Sequence, residues 1–420
     1  MLERLLDFCR NYRQNNSILQ VGKLLILVTT ICLGGELLIN LWLIIVLIVL
    51  LALLIAPPVF YFVWMKRTSK KSWMLKVNSD YTPTVSLIVS TYNEALAISE
   101  KLMNIQEMNY PVNKLEVIIV DSASTDNTLS ICSDFLKNSH FRFPIRLVSE
   151  EKRLGKSHAL NTALKCAVGE IIATSDADSM WEPDALRIAV SFFADESVGA
   201  ITGKEKIVNL EKSVHTLSEG LYRNFYYTLR LGESKLNSTP IFQGELALYK
   251  HNILEKFEDR PGYSDDTGTI INIMSKGYRC IFVPEAIFKD MAAFSMQGRF
   301  TLKFRRAEHL VAGIMQASKY QIRGKIKLNP KVMAFNFYMH ILSPFILGAT
   351  MFVFLTLVVI EPWFAVIFIP FLCALSLKKP RLFTISYLTS NLALTVGLFK
   401  HFFGSKEATW KKIEEMRQSS

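Results

Sequence analysis

Two aspartates one residue apart, Asp176 and Asp178, are the pair in this 420-residue chain best suited to hold a divalent cation. They follow a short apolar run at residues 171–174. Carboxylate oxygens are the ligands that Mg²⁺ and Mn²⁺ prefer, and such a cation can bridge the oxygens of a diphosphate. Two carboxylates on a tight turn can bind the cation directly or act through a nucleotide ribose. The pair therefore predicts metal-assisted binding of a nucleotide diphosphate.

Polar residues also follow two earlier apolar runs, and all three sets could face the same ligand. Residues 85–90 lead into the polar stretch 90–94, and residues 117–120 lead into the polar stretch 121–128. A single carboxylate after a strand often caps the next helix, and Asp126 is predicted to be such a cap. Capping alone does not explain three apolar runs that each end in polar residues.

The elements that must position these residues are strands and helices in alternation between residues 82 and 288. Apolar runs of strand length are separated by helix-length stretches around residues 95–104, 126–138 and 156–168. This alternation predicts a parallel α/β sheet with helices on both faces. Ligands of such sheets bind at the carboxyl ends of the strands, so we expect the polar residues to share one cleft.

The composition indicates a membrane protein with a basic balance. Half of the residues are hydrophobic, the formal net charge is +11 and the mean hydropathy is +0.24. Basic residues next to apolar segments are typical of loops that face anionic lipid. No nucleic-acid-binding motif is present, so nucleic acid is excluded as the partner that explains the charge. The six cysteines are scattered, without the spacing of a zinc site or of a disulfide framework.

Apolar regions at residues 24–65 and 332–403 are predicted to hold the membrane helices. A spanning helix needs about 20 apolar residues. The first region then holds one or two helices, with a turn near residues 34–36 in the two-helix case. The second holds two or three, the middle one at residues 364–377. The basic residues 66–71 place the following domain in the cytosol.

The remaining boundaries follow from these regions. Residues 1–23 are expected to form an N-terminal cytosolic segment, and residues 404–420 a tail whose side of the membrane stays open. Residues 299–331 are rich in Lys and Arg, with an apolar stripe at helical spacing. That stripe predicts an amphipathic helix at the membrane interface, or a surface helix that packs its stripe on the soluble domain.

Short motifs between residues 84 and 289 resemble, in order and spacing, the family 2 inverting glycosyltransferases with the GT-A fold. The likeness is closest to the membrane synthase branch with hyaluronan, chitin and poly-N-acetylglucosamine synthases. The matching segments are residues 90–94, 121–126, 155–161, 176–178, 264–267 and 276–279. The resemblance implies a cytosolic GT-A domain, Rossmann-like with a mainly parallel sheet, at residues 79–298, inserted between the transmembrane helices.

The resemblance also implies a role for individual positions. Asp178 would hold the metal, Mg²⁺ or Mn²⁺, and Asp266 would be the general base that takes the proton of the acceptor hydroxyl. Residues expected to bind the nucleotide sugar are Thr91, Tyr92, Glu94, Asp121, Lys156 and Asp176.

Three further positions would lie near the acceptor: Gln243, Gly244 and Asp265. A glycine there would let the backbone approach closely. Alternatives stay open for each, because an ordinary turn explains Gln243-Gly244 and a solvated or capping carboxylate explains Asp265.

The chain departs from the resemblance at one motif. Processive members carry Gln-x-x-Arg-Trp in the interface helix, and the corresponding residues here are 303–307. Arg306 is kept, whereas Lys303 and Ala307 stand in the places of Gln and Trp. Without the Trp, a large flat surface for stacking a sugar ring is absent, which favours a non-processive enzyme. Arg306 could still bind the diphosphate of the donor, or contact a lipid headgroup.

The expected function is transfer of a hexose or N-acetylhexosamine from a UDP-linked donor to a lipid-linked or membrane-proximal glycan acceptor. The expected location is the cell membrane, with several spans and with membrane lipid as a partner. A processive polysaccharide synthase that also secretes its product is the alternative within the same class. The alternative of another class is a catalytically silent nucleotide-sugar-binding subunit, against which the carboxylates Asp121, Asp178 and Asp266 argue.

Overall fold

The protein is described by a computed structural model that covers residues 18–138, 141–293, 295–367, 369, 373 and 376–404. Most of the predicted N-terminal segment 1–23 and nearly all of the predicted tail 404–420 lie outside these residues. Contacts group the chain into two compact units. One comprises Met1–Ile55 and Ile346–Phe371, and the other comprises Ala56–Phe345 and Leu372–Ser420.

Helix α1 spans Ile18–Ser69 as one continuous helix, so the turn near residues 34–36 expected in the two-helix case is absent. Glycine inside a helix costs only about 1 kcal/mol, and the prolines of α1, Pro57 and Pro58, lie about six turns further on. Within the first unit, Asn40 Nδ2 donates to Glu361 Oε1 over 3.0 Å.

Three helices in the described part of the chain are long and apolar enough to cross a membrane: Leu38–Ser69, Pro330–Ile360 and Pro380–Phe403. The second is built from α9 (Pro330–Phe337), a π-helical turn (Tyr338–Leu342) and α10 (Ser343–Ile360). The third belongs to α11 (Lys378–Phe403). The middle span predicted at residues 364–377 falls partly outside the described residues, and a 3₁₀ helix, Pro362–Ile367, overlaps its start.

The second unit is built on an eight-stranded mixed sheet with the strand order β3-β2-β1-β4-β7-β6-β8-β5. The strands are β1 Val85–Thr91, β2 Leu115–Asp121, β3 Ile145–Ser149, β4 Ile171–Asp176, β5 Met180–Trp181, β6 Val198–Ile207, β7 Ala247–Lys250 and β8 Arg279–Asp290. Strands β1 to β4 are mutually parallel, as predicted, and β6 is parallel to β8. Short β5 and β7 run antiparallel to their neighbours, which the apolar runs alone did not predict.

Helices pack on both faces of this sheet and build two apolar clusters. They are α2 Ile98–Gln106, α3 Thr128–Asn138, α4 Lys156–Leu164, α5 Ala185–Val190, α6 Val214–Leu236, α7 Thr267–Ser275 and α8 Met296–Ile322. The architecture is the mixed α/β, GT-A-like fold that the sequence predicted.

Helix α8 corresponds to the amphipathic segment predicted at residues 299–331, but it begins at Met296 and ends at Ile322. Its apolar stripe is buried at Ala307, Val311 and Ile314, in the same cluster as residues of α7 and α11. The stripe therefore packs inside the second unit, against both α7 and the candidate span in α11.

A buried carboxylate joins three helices of the second unit. Glu233 of α6 accepts hydrogen bonds from Tyr61 of α1, Asn336 of α9 and Thr239. A carboxylate with three donors is well compensated for its burial. The network fixes the carboxyl-terminal part of α1 and the start of the second candidate span to α6.

Candidate active site

The register of the parallel strands brings the first polar motifs side by side. Thr91 of β1 lies opposite Asp121 of β2, and Ser90 lies opposite Asp176 of β4. Three stretches separated along the chain therefore meet at one edge of the sheet, at the carboxyl ends of the strands.

Asp121 is 1% exposed and is held by its neighbours. Its carboxylate accepts hydrogen bonds from Thr91 Oγ1 at 3.1 Å, Ser124 N at 2.9 Å and Ser124 Oγ at 2.5 Å. Asn93 and Ala123, in the loops after β1 and β2, both have a positive φ of 54–56°. Non-glycine residues with such a φ are strained, and the strain persists only where the surrounding bonds fix the loop.

The turn with Asp176 and Asp178 rests on a buried lysine. Lys101 of α2 is fully buried, and its Nζ donates to Ser175 Oγ at 2.7 Å and to Ser179 O at 2.5 Å. Burial lowers the pKa of Lys101 to about 7, although Asp176 and Asp178 favour its charged form. The ammonium group thus holds Ser175 before the aspartate pair and Ser179 after it, which fixes the conformation of the turn.

Lys156, the first residue of α4, joins the aspartate pair to a second acidic motif. Its Nζ lies 2.5 Å from Asp176 Oδ1 and 3.5 Å from Asp265 Oδ2. Burial alone would lower the pKa of Lys156, but the two aspartates raise it well above its ordinary value. Gly244 lies against this bridge, since a Cβ there would be 3.3 Å from Lys156 Nζ and 3.4 Å from Asp265 Oδ2. Any larger residue would press on both groups.

Asp266 is the N-cap of α7 and accepts a hydrogen bond from Thr267 N. Burial, with Asp265 as a like-charged neighbour, raises the pKa of Asp266 to about 6. A carboxylate with a pKa near neutrality is a better proton acceptor than an ordinary aspartate. Asp266 follows Asp265, and Lys156 connects Asp265 to Asp176. Asp266 therefore lies close to the aspartate pair.

Asp290, the last residue of β8, is a carboxylate that the sequence analysis missed. Strand β5 pairs with β8 through Met180 and Lys289, which places Asp290 beside the Asp178 turn. Burial and the charge of Asp178 raise the pKa of Asp290 well above its ordinary value. The signal was in the sequence, because Asp290 follows an apolar strand just as Asp176 does.

A cavity of about 390 Å³ is lined by these residues and by two helices. Of the twelve predicted site residues, eleven line it: Thr91, Tyr92, Glu94, Lys156, Asp176, Asp178, Gln243, Gly244, Asp265, Asp266 and Arg306. Asp121 does not line the cavity, because its carboxylate is used within its own loop, next to the lining residues Thr91 and Ser122.

The lining also includes Arg153, which sequence reasoning missed. The Arg153 guanidinium carbon lies 3.9 Å from the centre of the Tyr92 ring, a cation–π contact that positions Tyr92. Asp126, predicted as a helix cap, accepts a hydrogen bond from Thr128 N at 3.0 Å, at the start of α3.

Charged residues of α6 and α8 line the other part of the cavity, and we call them the helix-side group. They are Glu219, Arg223, Arg230, Arg299, Lys303, Arg305 and Arg306. Burial would raise the pKa of Glu219, but Arg223, Lys303 and Arg299 hold it at about 2. Apart from Arg306, none of the group was predicted to bind a ligand, because charges on one helix usually form solvated surface pairs.

The charged lining residues outside α6 and α8 are called the strand-end group. They are Glu94, Arg153, Lys156, Asp176, Asp178, Glu205, Glu245, Asp265, Asp266 and Asp290. Carboxylates outnumber cations eight to two in this group. Two ion pairs connect the groups, Arg223 with Glu205 and Arg306 with Glu245.

The oxygen donors of the strand-end group fit a hard divalent cation. Asp178 in its turn and Asp290 at the end of β8 offer two carboxylates, without the Cys or His ligands that would favour zinc. Among the described residues, no three Asp, Glu, His or Cys side chains form a group that could hold a metal ion by themselves. The oxygens of a nucleotide diphosphate would have to complete such a site.

Comparisons with known proteins support this chemistry. The sequence profile described as Glycosyl transferase family 2 matches residues 86–257. A mannosyltransferase from Pyrobaculum calidifontis, solved in complex with GDP-Man and Mn²⁺, is 33% identical in sequence with a TM-score of 0.74. The alignment covers 87% of this chain and 100% of that one. A structural relative of this class binds its donor with a divalent cation.

Curated relatives match over a smaller part of their length. The poly-beta-1,6-N-acetyl-D-glucosamine synthase of Staphylococcus epidermidis is 24% identical over 253 residues, which is 60% of each chain. The probable glycosyltransferase YdaM of Bacillus subtilis is 28% identical over 214 residues, 50% of this chain and 51% of that one. The matches therefore span about half to three fifths of these relatives.

Proposed function

The chain belongs to glycosyl transferase family 2 and is a glycosyltransferase, and on that premise we propose a specific reaction for it. It transfers one hexosyl or N-acetylhexosaminyl unit from a UDP-linked donor, with inversion, to an acceptor at the membrane. The observation that carries the proposal is the single cavity lined by both the Asp176–Asp178 turn and Asp266.

The reaction needs one proton acceptor on the side of the sugar opposite the leaving group. Asp266 takes the proton of the acceptor hydroxyl as its oxygen forms a bond to the sugar C1. The bond between C1 and the diphosphate oxygen breaks, and its electron pair leaves with the nucleoside diphosphate. The half-buried position of Asp266 in the cavity lining and its pKa of about 6 support this role.

The donor is held by the strand-end group. Asp178, with Asp290 beside it, would hold Mg²⁺ or Mn²⁺, which would neutralise charge on the departing diphosphate. Thr91, Tyr92 and Glu94 border the nucleotide base, and Asp121 orders their loop through Thr91. Lys156 and Asp176 lie where the diphosphate and donor sugar meet the Asp265–Asp266 motif.

The enzyme is proposed to act from the cytosolic face of the cell membrane, with several spans. Basic residues 66–71 follow the first candidate span, which supports a cytosolic domain between residues 79 and 298. Helix α8 and α11 pack together, and Lys303 Nζ donates to Ser390 Oγ at 2.9 Å. This contact supports a catalytic cavity next to the third candidate span. Gln243, Gly244, Asp265 and Arg306 then face the acceptor side.

A donor screen tests the proposal. Native membranes with the full chain are supplied with radiolabelled UDP-glucose, UDP-N-acetylglucosamine or GDP-mannose, with Mg²⁺, Mn²⁺ or a chelator. We expect metal-dependent transfer or hydrolysis with a UDP-sugar, and loss of it in Asp178→Asn. GDP-mannose is included because the Pyrobaculum relative binds it. The assignment fails if no donor is used, or if Asp178→Asn and Asp266→Asn both retain full activity.

Processive polysaccharide synthesis is the second candidate, supported by the similarity to poly-beta-1,6-N-acetyl-D-glucosamine synthases. Ala307 stands where the resembling processive enzymes carry Trp, and it is buried against the core. Product length from purified protein separates the two. Single-sugar products support the proposal, and a ladder of long polymers contradicts it.

A further inference from the structure

The helix-side part of the cavity contains guanidinium groups whose hydrogen-bonding capacity is only partly used. Arg299 is 6% exposed, and its Nη2 donates to Ser218 Oγ at 3.3 Å and to Glu219 Oε2 at 3.4 Å. Within the described part of the chain, Arg299 Nε and Nη1 have no hydrogen-bond partner, nor does Arg230 Nε. Buried donors without partners are rare in folded proteins, because each costs about 1–3 kcal/mol. Such donors indicate a ligand with acceptor oxygens.

The charge balance of the helix-side group favours an anion. Six cations face Glu219, the one carboxylate of the group. Glu205 and Glu245 of the strand-end group compensate Arg223 and Arg306. A phosphate or diphosphate would fit the remaining positive charge, since arginine binds phosphate through two parallel hydrogen bonds.

Two buried acceptor atoms in the same cavity could accept hydrogen bonds from hydroxyl groups of a ligand. Gln243 Nε2 donates to Glu205 Oε2 at 3.0 Å, and Gln243 Oε1 has no partner among the described residues. His340 Nδ1 lies 2.8 Å from Asn336 O, and its Nε2 has likewise no partner there. Gln243 precedes Gly244, and a Cβ built on Gly244 would lie 3.6 Å from Asp266 Cβ. A sugar hydroxyl at Gln243 would thus be close to the proposed base.

Apolar side chains complete the lining next to the third candidate span. They are Leu302, Ala307, Leu310, Ala393 and Leu394, from α8 and α11. Ser218, a partner of Arg299, also donates to Leu382 O at 3.0 Å, near the start of that span. The cationic group therefore borders the elements that would lie in the membrane, where an apolar chain can enter.

We propose that the helix-side part of the cavity is the acceptor site for a membrane lipid with a phosphate or diphosphate between its apolar chain and its sugar. Arg299 binds the phosphate, and Gln243 Oε1 orients the sugar hydroxyl towards Asp266. The inference rests on the proposed transferase function and names the class of its acceptor. The sugar hydroxyl, and not the phosphate, is the nucleophile, because a general base is needed only for the hydroxyl.

Binding of two fluorescent lipids to the purified full chain in detergent tests the proposal. One is a polyprenyl diphosphate and the other is the polyprenol with the same chain. We expect the diphosphate to bind at least about tenfold more tightly, since one hydrogen bond to a charged group corresponds to about that factor. Arg299→Gln should reduce this preference about tenfold, without changing polyprenol binding. Equal binding of the two lipids by the unchanged protein overturns the inference.

Matched variants and competitors complete the experiment. Arg187→Gln removes an exposed arginine outside the cavity and should keep the preference. Arg299→Lys keeps the positive charge but removes the guanidinium donors, so a reduced preference in this variant remains informative if Arg299→Gln does not fold. Displacement of the diphosphate lipid by equimolar phosphatidylglycerol would identify a general headgroup site and contradict the proposal. Displacement by equimolar inorganic phosphate would identify a free-phosphate site and contradict it too.

The two proposals fail in different ways. Metal-dependent hydrolysis of a nucleotide sugar by the unchanged protein, without any lipid, reports on the transferase function alone. A protein that hydrolyses the donor but binds both lipids equally refutes only the acceptor class. A protein that prefers the diphosphate lipid but uses no donor refutes the transferase reaction, and leaves a binding site for a phosphate-bearing lipid.

Discussion

The two charged groups around the cavity have opposite excesses of charge and come from different kinds of structure. The strand-end group has eight carboxylates and two cations, carried mainly by loops at the ends of strands. The helix-side group has six cations and one carboxylate, all carried by α6 and α8. Both groups line one cavity and are joined by two ion pairs.

This difference indicates two ways of holding phosphate in one enzyme. A nucleotide diphosphate is repelled by the acidic strand-end group unless a divalent cation stands between them, which makes donor binding metal-dependent. A phosphate at the helix-side group needs no metal, because guanidinium groups bind it directly. In the proposed reaction, this division would keep the donor diphosphate and the acceptor phosphate apart while the sugar is transferred between them.

The largest expected effect is on the strand-end group. Asp266→Asn should lower kcat by about 10²–10⁴-fold, the usual contribution of a general base, measured as the initial rate at saturating donor. Asparagine can still cap α7, so the fold should be kept. Asp265→Asn is the control and should lose less, because Asp265 pairs with Lys156. Equal losses in the two variants would contradict the assignment of the base.

The next largest effect is expected on the stability of the fold, at the Arg223–Glu205 ion pair that connects the two groups. Arg223→Met leaves Glu205 buried without its ion-pair partner, which should reduce the unfolding free energy by about 3–5 kcal/mol. Thermal unfolding of the purified protein in detergent measures the change. The double variant Glu205→Gln with Arg223→Met should recover much of the loss. An unchanged transition temperature in the single variant would show that the pair does not connect the groups.

A smaller effect is expected at Lys101, whose side chain holds the turn that contains Asp176 and Asp178. Lys101→Met removes the donor to Ser175 and Ser179, and it should destabilise the fold by about 1–3 kcal/mol and raise the KM for the donor. Lys114→Met is the matched control, since Lys114 Nζ donates to Thr82 O at 2.6 Å away from the cavity lining. A raised donor KM in both variants would mean that Lys101 has no special effect on the turn.

The smallest effect is expected in the pH dependence of kcat/KM, which depends on the ionisation of Asp266. Asp266 must be ionised to accept a proton, and its pKa is raised to about 6. The value of kcat/KM should therefore be constant above pH 7 and fall about tenfold per unit below pH 6. Rates from pH 4.5 to 8 measure this limb, and it should vanish from the residual activity of Asp266→Asn. A limb near the ordinary aspartate pKa of about 4 would contradict the effect of burial and Asp265.

Much of the fold could be predicted because apolar runs identify buried strands by themselves. Strands β1, β2 and β4 contain the predicted runs, and each extends them by one to three residues. The antiparallel β5 and β7 could not be found in this way, because two to four residues hold too little periodicity. Helix α1 continues through residues 34–36, since glycine only weakens a helix and does not end it.

The sequence by itself determined the family, the motif order and the carboxylates that follow the strands. These are local features, and chain order in a parallel sheet is enough to bring strand ends together. Only the tertiary structure decided that Asp121 lies behind the cavity, that Lys101 supports the turn, and that α6 and α8 add a cationic wall. A side chain's partners across the fold depend on packing between segments that lie 30 to 87 residues apart in these cases, and the local sequence pattern does not contain that information.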